Sequence, residues 1–242
     1  MATKLWRGTG LNQWGLAANW SPSGIPTSAD DIIFDAVSPA CTVSVGGLGL
    51  SIDFTNYTNT ITMSSPITIS GNITLGTGMT ISGVNPINAA GATGNITSNP
   101  LNVVGGGKTI PYLTFTATST YTLIDDLTVG TLLNITGTPT INGVSRKINI
   151  STNFTHSSSA AVSGTATFNF NGTGTWNHTT TGILRNNVTI NTAGTLTINN
   201  VNYNTGTLTY TAGTINATGL LILRQQLHWI LQVWLELTLG II

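Results

Sequence analysis

Alternation of large apolar and small polar residues is the strongest pattern along this chain. Between residues 146 and 216 it returns as triplets in which two large apolar side chains flank one small polar residue. The triplets follow one another at steps of 20 residues, at 148–150, 168–170, 188–190 and 208–210. Alternation at period two is typical of a strand with one buried face, and recurrence at a fixed period is typical of a solenoid.

The spacing predicts an all-β fold, a parallel β-helix (β-solenoid) with rungs of about 20 residues. Successive turns would pair at the ~4.8 Å spacing of neighbouring strands. Ile150, Phe170, Ile190 and Tyr210 are then expected to stack as one interior ladder, while the alternating Asn and Thr face water. An antiparallel sandwich of short, evenly spaced strands is the alternative. Near-constant spacing over four copies favours the solenoid.

A second track and a set of corners accompany these triplets. The second track lies at 174–176, 194–196 and 213–215, with steps of 20 and 19 residues. Corners need residues that tolerate tight or left-handed backbone, which Gly and Asn do. Such residues predict corners at 171–172, 193–194, 204–206 and 212–213.

Residues 1–55 differ from the rest and form a Trp-rich N-terminal segment. Three of the six Trp residues lie there, at Trp6, Trp14 and Trp20. The motif continues through a proline turn at Pro26 to the acidic run 30–35. This spacing resembles the opening segment of bacterial adhesin-like surface proteins and of phage virion proteins with a β-helical body. The resemblance covers about the first quarter of the chain, and its motif is structural rather than catalytic.

The Trp residues are predicted to form a β cap. An open solenoid end exposes strand edges and apolar side chains, and each Trp can bury roughly 150–250 Å². Trp14 and Trp20 are also the candidate binding residues, because together they could form a platform on which a sugar stacks. A calcium site at Asp30, Asp31 and Asp35 is a weaker alternative, since neighbouring residues on a strand point to opposite faces.

Residues 56–219 are predicted to be the body of the solenoid. Residues 127–129 lie 21 residues before 148–150 and join the regular ladder. The stretch from Asn85 to Lys108 is rich in Gly, Asn, Pro and Ala, which indicates an irregular rung or a loop leaving the coil. Loops on a rigid scaffold often carry binding sites, so this stretch is the first candidate for a variable surface.

Residues 220–242 break the pattern as an atypical apolar tail in which Thr and Asn almost vanish. Arg224, His228 and Glu236 are among the polar residues that interrupt the roughly 20 apolar residues of a transmembrane helix, so no membrane span is expected. Every odd position from 227 to 241 is apolar, as in a final strand. Codons shifted by one base can encode a stretch with the Thr/Ser/Gly composition of the body. Two origins therefore stay open: a frameshift product, or a native apolar end-cap or partner-binding segment.

Composition excludes some partners. Seven basic and seven acidic residues leave no net charge, whereas nucleic-acid binding needs clustered Lys and Arg. Cys41 is the single cysteine, so no internal disulfide is possible. Residues 1–7 lack the continuous apolar stretch of a secretory signal, which fits a virion protein released by lysis or a signal that has been removed.

No catalytic, metal or cofactor site is predicted. His156 and His178 have no acidic neighbour in sequence, and together with Cys41 they are expected to be exposed or corner residues. Asp125 and Asp126 are the remaining acidic candidates for cleavage of a glycosidic bond, but adjacent residues on a strand face opposite ways.

The expected function is that of a non-enzymatic structural protein of a phage-like virion, as a fibre, spike or decoration, located on the virion or an extracellular surface. Host-surface glycans are its candidate ligands, and the resemblance implies a homo-oligomer or other virion assembly partners. A secreted bacterial cell-surface adhesin is the alternative. A polysaccharide-degrading β-helix enzyme is the third hypothesis.

Overall fold

The computed structural model describes residues 2–102, 107–179, 181–203, 206–218 and 221–223. Within these ranges the chain winds as a stacked parallel β-solenoid of about nine turns, with successive turns about 20 residues apart. The prediction of an all-β parallel β-helix is thus confirmed. No helix among the described residues is long and apolar enough to cross a membrane.

Short strands joined by tight corners make up the coil, and a 3₁₀ turn lies at Ala17–Asn19 near its start. The strands are β1 Thr3–Trp6, β2 Trp20–Ser21, β3 Asp31–Ile33, β4 Cys41–Val43, β5 Gly47–Gly49, β6 Ser51–Asp53, β7 Thr60–Met63, β8 Ile67–Ile69, β9 Ile73–Thr74, β10 Thr80–Gly83, β11 Ile87–Ala89, β12 Thr93–Thr97, β13 Thr109–Phe115, β14 Thr120–Leu123, β15 Leu127–Ile135, β16 Thr140–Asn142, β17 Lys147–Ile150, β18 Asn153–His156, β19 Thr167–Phe170, β20 Gly174–His178, β21 Val188–Asn199, β22 Val201–Tyr203, β23 Leu208–Ala217 and β24 Leu221–Leu223.

The strands stack into three faces. Face 1 contains β3, β6, β9, β12, β14 and β16, and the backbone bridges at Val162 and Leu184 extend it. Face 2 begins with β4, β7 and β10, and face 3 begins with β5, β8 and β11. From β13 onwards one long strand can serve both of these faces. β15, for example, pairs with β17 through 127–129 and with β18 through 132–135.

The predicted interior ladder is present. Ile150 pairs in parallel register with Phe170, Phe170 with Ile190, and Ile190 with Tyr210. The first three of these side chains are almost fully buried, while Tyr210 in the last of these strands packs against the core only partly. Residues 127–129 also join this ladder, opposite 148–150, as the 21-residue spacing predicts.

The second track is in a different register from the one that its sequence spacing suggests. Trp176 lies opposite Ile198 rather than Leu196, a shift of two residues that keeps both side chains inside. Leu196 does lie opposite Ile215. Because alternation has a period of two, a slip of two residues preserves burial and is invisible in the hydrophobic pattern.

Not every predicted corner is a break between strands. Gly172 lies in the bend between β19 and β20, as predicted, but 193–194 and 212–213 lie inside β21 and β23, where the register shifts. Gly213 has a φ of +112°, a value that L side chains rarely adopt. A bulge therefore turns the chain there without ending the strand.

Polar side chains on the outside form ladders of their own. The Asn169 amide donates to the Asn149 Oδ1 at 2.8 Å, and the Thr118 and Thr138 hydroxyls lie 2.6 Å apart. Asn169 is 8% exposed. The expectation that alternating Asn and Thr simply face water is therefore wrong at this position, because stacking covers the side chain and satisfies its amide.

The N-terminal segment forms a cap on the first turn. β1 pairs antiparallel with β2 and parallel with β3, and β3, β4 and β5 already form a turn of the coil inside the segment 1–55. Trp6, Trp14 and Trp20 are buried beneath this end. The ring of Phe34 contacts all three indoles, at centroid distances of 5.8, 6.2 and 6.0 Å.

Two other predictions concern irregular parts of the chain. Within the stretch from Asn85 to Lys108, β11 and β12 stack regularly, so this part is not irregular. Residues 103–106 of the same stretch lie outside the described residues. The predicted tail 220–242 lies outside the described residues, except for β24, whose backbone pairs in parallel with β22.

Candidate functional site

Charge on the body of the solenoid is confined to one edge. Beyond residue 55 the described part of the chain has six charged residues, and all of them lie at the corner between face 1 and face 2. They are Lys108, Asp125, Asp126, Arg146, Lys147 and Arg185. We call these six residues, with the corner residues Ile124 and Val144, the charged edge.

The two aspartates of the charged edge stabilise the backbone. Asp125 accepts hydrogen bonds from the backbone N–H groups of Ser98 and Asn99, at 2.8 and 2.7 Å. Asp126 Oδ1 accepts the N–H of Lys147 at 2.9 Å. Both residues lie in the bend between β14 and β15, and not on a strand as predicted. Each carboxylate therefore links its own turn to a neighbouring turn.

Asp125 and Ser98 also define the base of an excursion. Ser98 Oγ donates to the Asp126 carbonyl at 2.7 Å, and the N–H of Lys108 donates to the Ser98 carbonyl at 2.9 Å. The chain thus leaves the coil after Ser98 and returns to the same residue. This base lies within the stretch predicted to be a variable surface.

The basic side chains of the edge are available to solvent. Arg146, Lys147 and Arg185 are exposed and Lys108 is half-exposed. Within the described ranges, their side-chain nitrogens form no ion pair or hydrogen bond. The ion pair in those ranges joins Arg7 and Asp35 of the N-terminal segment, at 3.0 Å. A cation with free N–H donors retains its full capacity to bind an anionic group.

Trp14 and Trp20, the candidate binding residues, are core residues of the cap. Their rings meet edge to face at a centroid distance of 4.8 Å, and the Trp20 indole N–H donates to the Trp14 carbonyl at 2.8 Å. Exposure is 0% for Trp14 and 2% for Trp20. Neither ring offers a face to a sugar in this structure, so the platform interpretation lacks the exposed surface that it needs.

The N-terminal aspartates each have a separate structural partner. Asp30 accepts the N–H and the hydroxyl of Thr27, and these bonds lower the pKa of its carboxyl. Asp31 accepts the Ser51 hydroxyl at 2.5 Å. Burial raises the pKa of Asp35, but hydrogen bonds from Ser38 and Arg7 outweigh this effect and leave the pKa below its usual value. Among the described residues no three His, Cys, Asp or Glu side chains lie close enough together to hold a metal ion.

His156 and His178 are buried inside the coil, so the expectation that they are exposed or corner residues is wrong. They occupy paired positions on β18 and β20. Cys41, of which the same was expected, is also buried, in β4, and burial raises the pKa of its thiol. A strand can place a neutral polar side chain at an inward position where the core leaves room for it. A search of the sequence for acidic residues near each His or Cys does not detect such burial.

Two neighbours fix the ring of His178. Its Nδ1 lies 2.9 Å from the Gly182 carbonyl, and its Nε2 accepts the Trp176 indole N–H at 3.2 Å. Because the indole can only donate, the proton of the neutral ring belongs on Nδ1. Burial lowers the pKa of this ring to about 4.

Neither ring nitrogen of His156 has a hydrogen-bond partner among the described residues. Burial, followed by the proximity of His178, lowers the pKa of His156 to about 4. The pair is therefore neutral at ordinary pH.

The clustering of charge at one edge is a feature that sequence analysis missed. The linear sequence shows scattered charges, and only the strand register brings positions about 20 or 40 residues apart onto one corner. The 20-residue period carried this information, because 126 and 147 are one turn apart.

Comparison with protein-family models, with curated proteins and with solved structures finds no match to this chain.

Proposed function

We propose that the chain is a non-enzymatic structural component of a phage-like virion, as part of a fibre, spike or decoration. The observation that supports this most is the continuous parallel ladder of about nine turns. At ~4.8 Å per turn it gives a rod of roughly 40 Å in which each strand is hydrogen-bonded to the turns on either side. Such a rod resists bending because any bend must stretch many hydrogen bonds together.

The two kinds of ladder support the same role. Inside, Ile150, Phe170 and Ile190 stack without a polar interruption. Outside, Asn149 and Asn169 continue the same order with side-chain hydrogen bonds. A neutral surface rich in Thr, with 45 copies in the chain, suits packing against other copies or against a particle surface. The resemblance of residues 1–55 to the opening segments of virion proteins adds the particle context.

The same resemblance includes bacterial adhesin-like proteins, so a cell-surface adhesin is the second candidate. Proteomics separates the virion component from the adhesin. Purified particles and washed cell envelopes from the organism that carries the gene are compared, with immunogold labelling of both. Peptides and label on virus-like particles support the proposal. Peptides confined to the cell envelope contradict it and favour the adhesin.

A further inference from the structure

The charged edge has a periodicity that the hydrophobic ladder does not require. Lys108 lies in the turn of β13. Arg146 and Lys147 lie two turns later, at the start of β17, and Arg185 lies two turns after that, just before β21. The turn between the first two positions carries Asp125 and Asp126, and the turn between the last two has the uncharged corner 164–166. Cations therefore recur on alternate turns.

Two turns of the coil span roughly 10 Å along its axis. An extended pyranose polymer repeats every two sugars over a comparable length. A polysaccharide with one carboxylate or sulfate group per disaccharide thus presents anions at the interval at which this edge presents cations. Guanidinium groups bind carboxylate and sulfate oxygens in a bidentate manner, and two of the four cations are arginines.

We propose that the charged edge binds an anionic polysaccharide that carries one acidic group per disaccharide and lies along the axis of the coil. This inference rests on the proposed function, because it assigns a class of ligand to the surface of the proposed rod. Val144 is 82% exposed and Ile124 is 46% exposed, in neighbouring turns of the same edge. They place apolar surface beside the cations, where the C–H face of a sugar ring packs.

The shape of the corner presents these groups outward. At the corner 143–146 the backbone N–H of Arg146 donates to the Gly143 carbonyl at 2.9 Å, and Ser145 has a φ of +60°. This tight turn projects Val144 from the coil. Asp126 fixes the backbone of Lys147 from the preceding turn, so the cationic corner is held in place before a ligand arrives.

A nucleic acid fits the same edge poorly. Each strand of a DNA duplex carries one phosphate per ~3.4 Å, about three times the frequency at which cation-bearing turns occur here. Asp125 and Asp126 lie between the cationic turns and reduce the net charge of the edge to +2, from four basic and two acidic residues. The spacing favours a sparsely charged polymer over a densely charged one.

Binding of the purified full chain to immobilised polymers tests the proposal. The probes are hyaluronan, with one carboxylate per disaccharide, neutral dextran, and single-stranded DNA, each at low and at high salt. We expect hyaluronan to bind and to be released by salt, with dextran and DNA at least tenfold weaker. Equal binding of dextran or of DNA, or no binding of hyaluronan, would overturn the proposal.

Variants locate the surface. Arg146→Gln with Arg185→Gln should weaken hyaluronan binding at least tenfold, while Arg146→Lys with Arg185→Lys keeps the charge and most of the affinity. Asp126→Asn removes one intervening negative charge but keeps a side-chain oxygen that can accept the Lys147 backbone N–H, so it should strengthen binding. These side chains are exposed, so circular dichroism should report the same fold throughout. Unchanged affinity of the double Gln variant for hyaluronan would contradict the proposal. If hyaluronan does not bind but particles contain the chain, the ligand inference fails and the structural role stands.

Discussion

His156 and His178 face each other across adjacent turns of the coil, with ring centroids 4.8 Å apart and ring planes at 83°. Both rings are buried, and neither ring nitrogen of His156 has a hydrogen-bond partner among the described residues. A proton on one ring would therefore lie next to the other ring in a core that solvates charge poorly. The structure tolerates the pair because both rings are neutral.

This pairing makes stability depend on acidity. Burial lowers the pKa of both rings from 6.5 to about 4, so the unfolded chain binds these protons first. The stabilisation is complete above pH 6.5 and is lost as pH falls from 6.5 through 4, by at most about 3 kcal/mol per ring. Urea unfolding at several pH values between 8 and 4 measures it.

The control for the acid effect is the double variant His156→Gln, His178→Gln. Asp30 and Asp35 also lose stabilisation as they protonate, because their pKa values are lowered in the fold. That contribution is common to both proteins, so the difference between the two pH profiles isolates the imidazoles. Parallel profiles between pH 6.5 and 4 would contradict the prediction.

Gly174 should not tolerate a methyl group. A Cβ there would lie 1.6 Å from the Thr152 carbonyl oxygen of the preceding turn, which is backbone and cannot move aside. We expect Gly174→Ala to cost about 3 kcal/mol or more, at or beyond the upper end of overpacking. Gly46→Ala is the matched control, since a Cβ there meets nothing within 4 Å. Thermal melts compare the two, and equal melting temperatures would refute the stacking geometry.

Trp20 should be important for the cap rather than for a ligand. Its side chain is 2% exposed and its indole N–H bonds the Trp14 carbonyl, so Trp20→Ala creates a cavity and leaves that carbonyl unpaired. The expected loss is about 3–5 kcal/mol. Hydrogen exchange should show faster opening of β1 and β3. Leu11→Ala, at a side chain that is 74% exposed, should change stability by less than about 0.5 kcal/mol. A Trp20→Ala protein as stable as Leu11→Ala would exclude this role.

Asp125 should control the excursion that begins at Ser98. Asp125→Asn weakens two charge-assisted bonds to backbone N–H groups and should destabilise the protein by about 1.5–3 kcal/mol. Limited proteolysis should then cut the segment 99–108 faster. Asp126→Asn, at an exposed residue, is the comparison and should change this rate less.

The same two variants test the hypothesis that the protein is a polysaccharide-degrading enzyme. A screen of the wild-type chain against neutral and acidic glycans, repeated with each variant, would report turnover that depends on either carboxylate. Turnover abolished by Asp125→Asn or by Asp126→Asn, with the fold retained, would replace the structural proposal by an enzymatic one.

The ladder was predictable from sequence because it repeats a chemical pattern. Ile150, Phe170 and Ile190 recur at the period of one turn, and burial of one strand face forces them to the same side. The positions of Trp176 and His156 were not predictable in the same way. Trp176 slips by two residues without changing face, and His156 is a polar residue at an inward position. Alternation specifies a face, whereas exact register and neighbours depend on three-dimensional packing.

The corner between face 1 and face 2 differs in length from turn to turn. It joins Thr97 to Thr109 in one turn, Leu123 to Leu127 in the next and Asn142 to Lys147 in the one after, yet the strands on either side keep their pairing. Length variation at this place is thus uncoupled from the core. A foreign peptide grafted between Gly143 and Arg146 would be displayed on a scaffold that already accommodates loops of unequal size, which makes the corner a natural point for evolutionary diversification and for engineering.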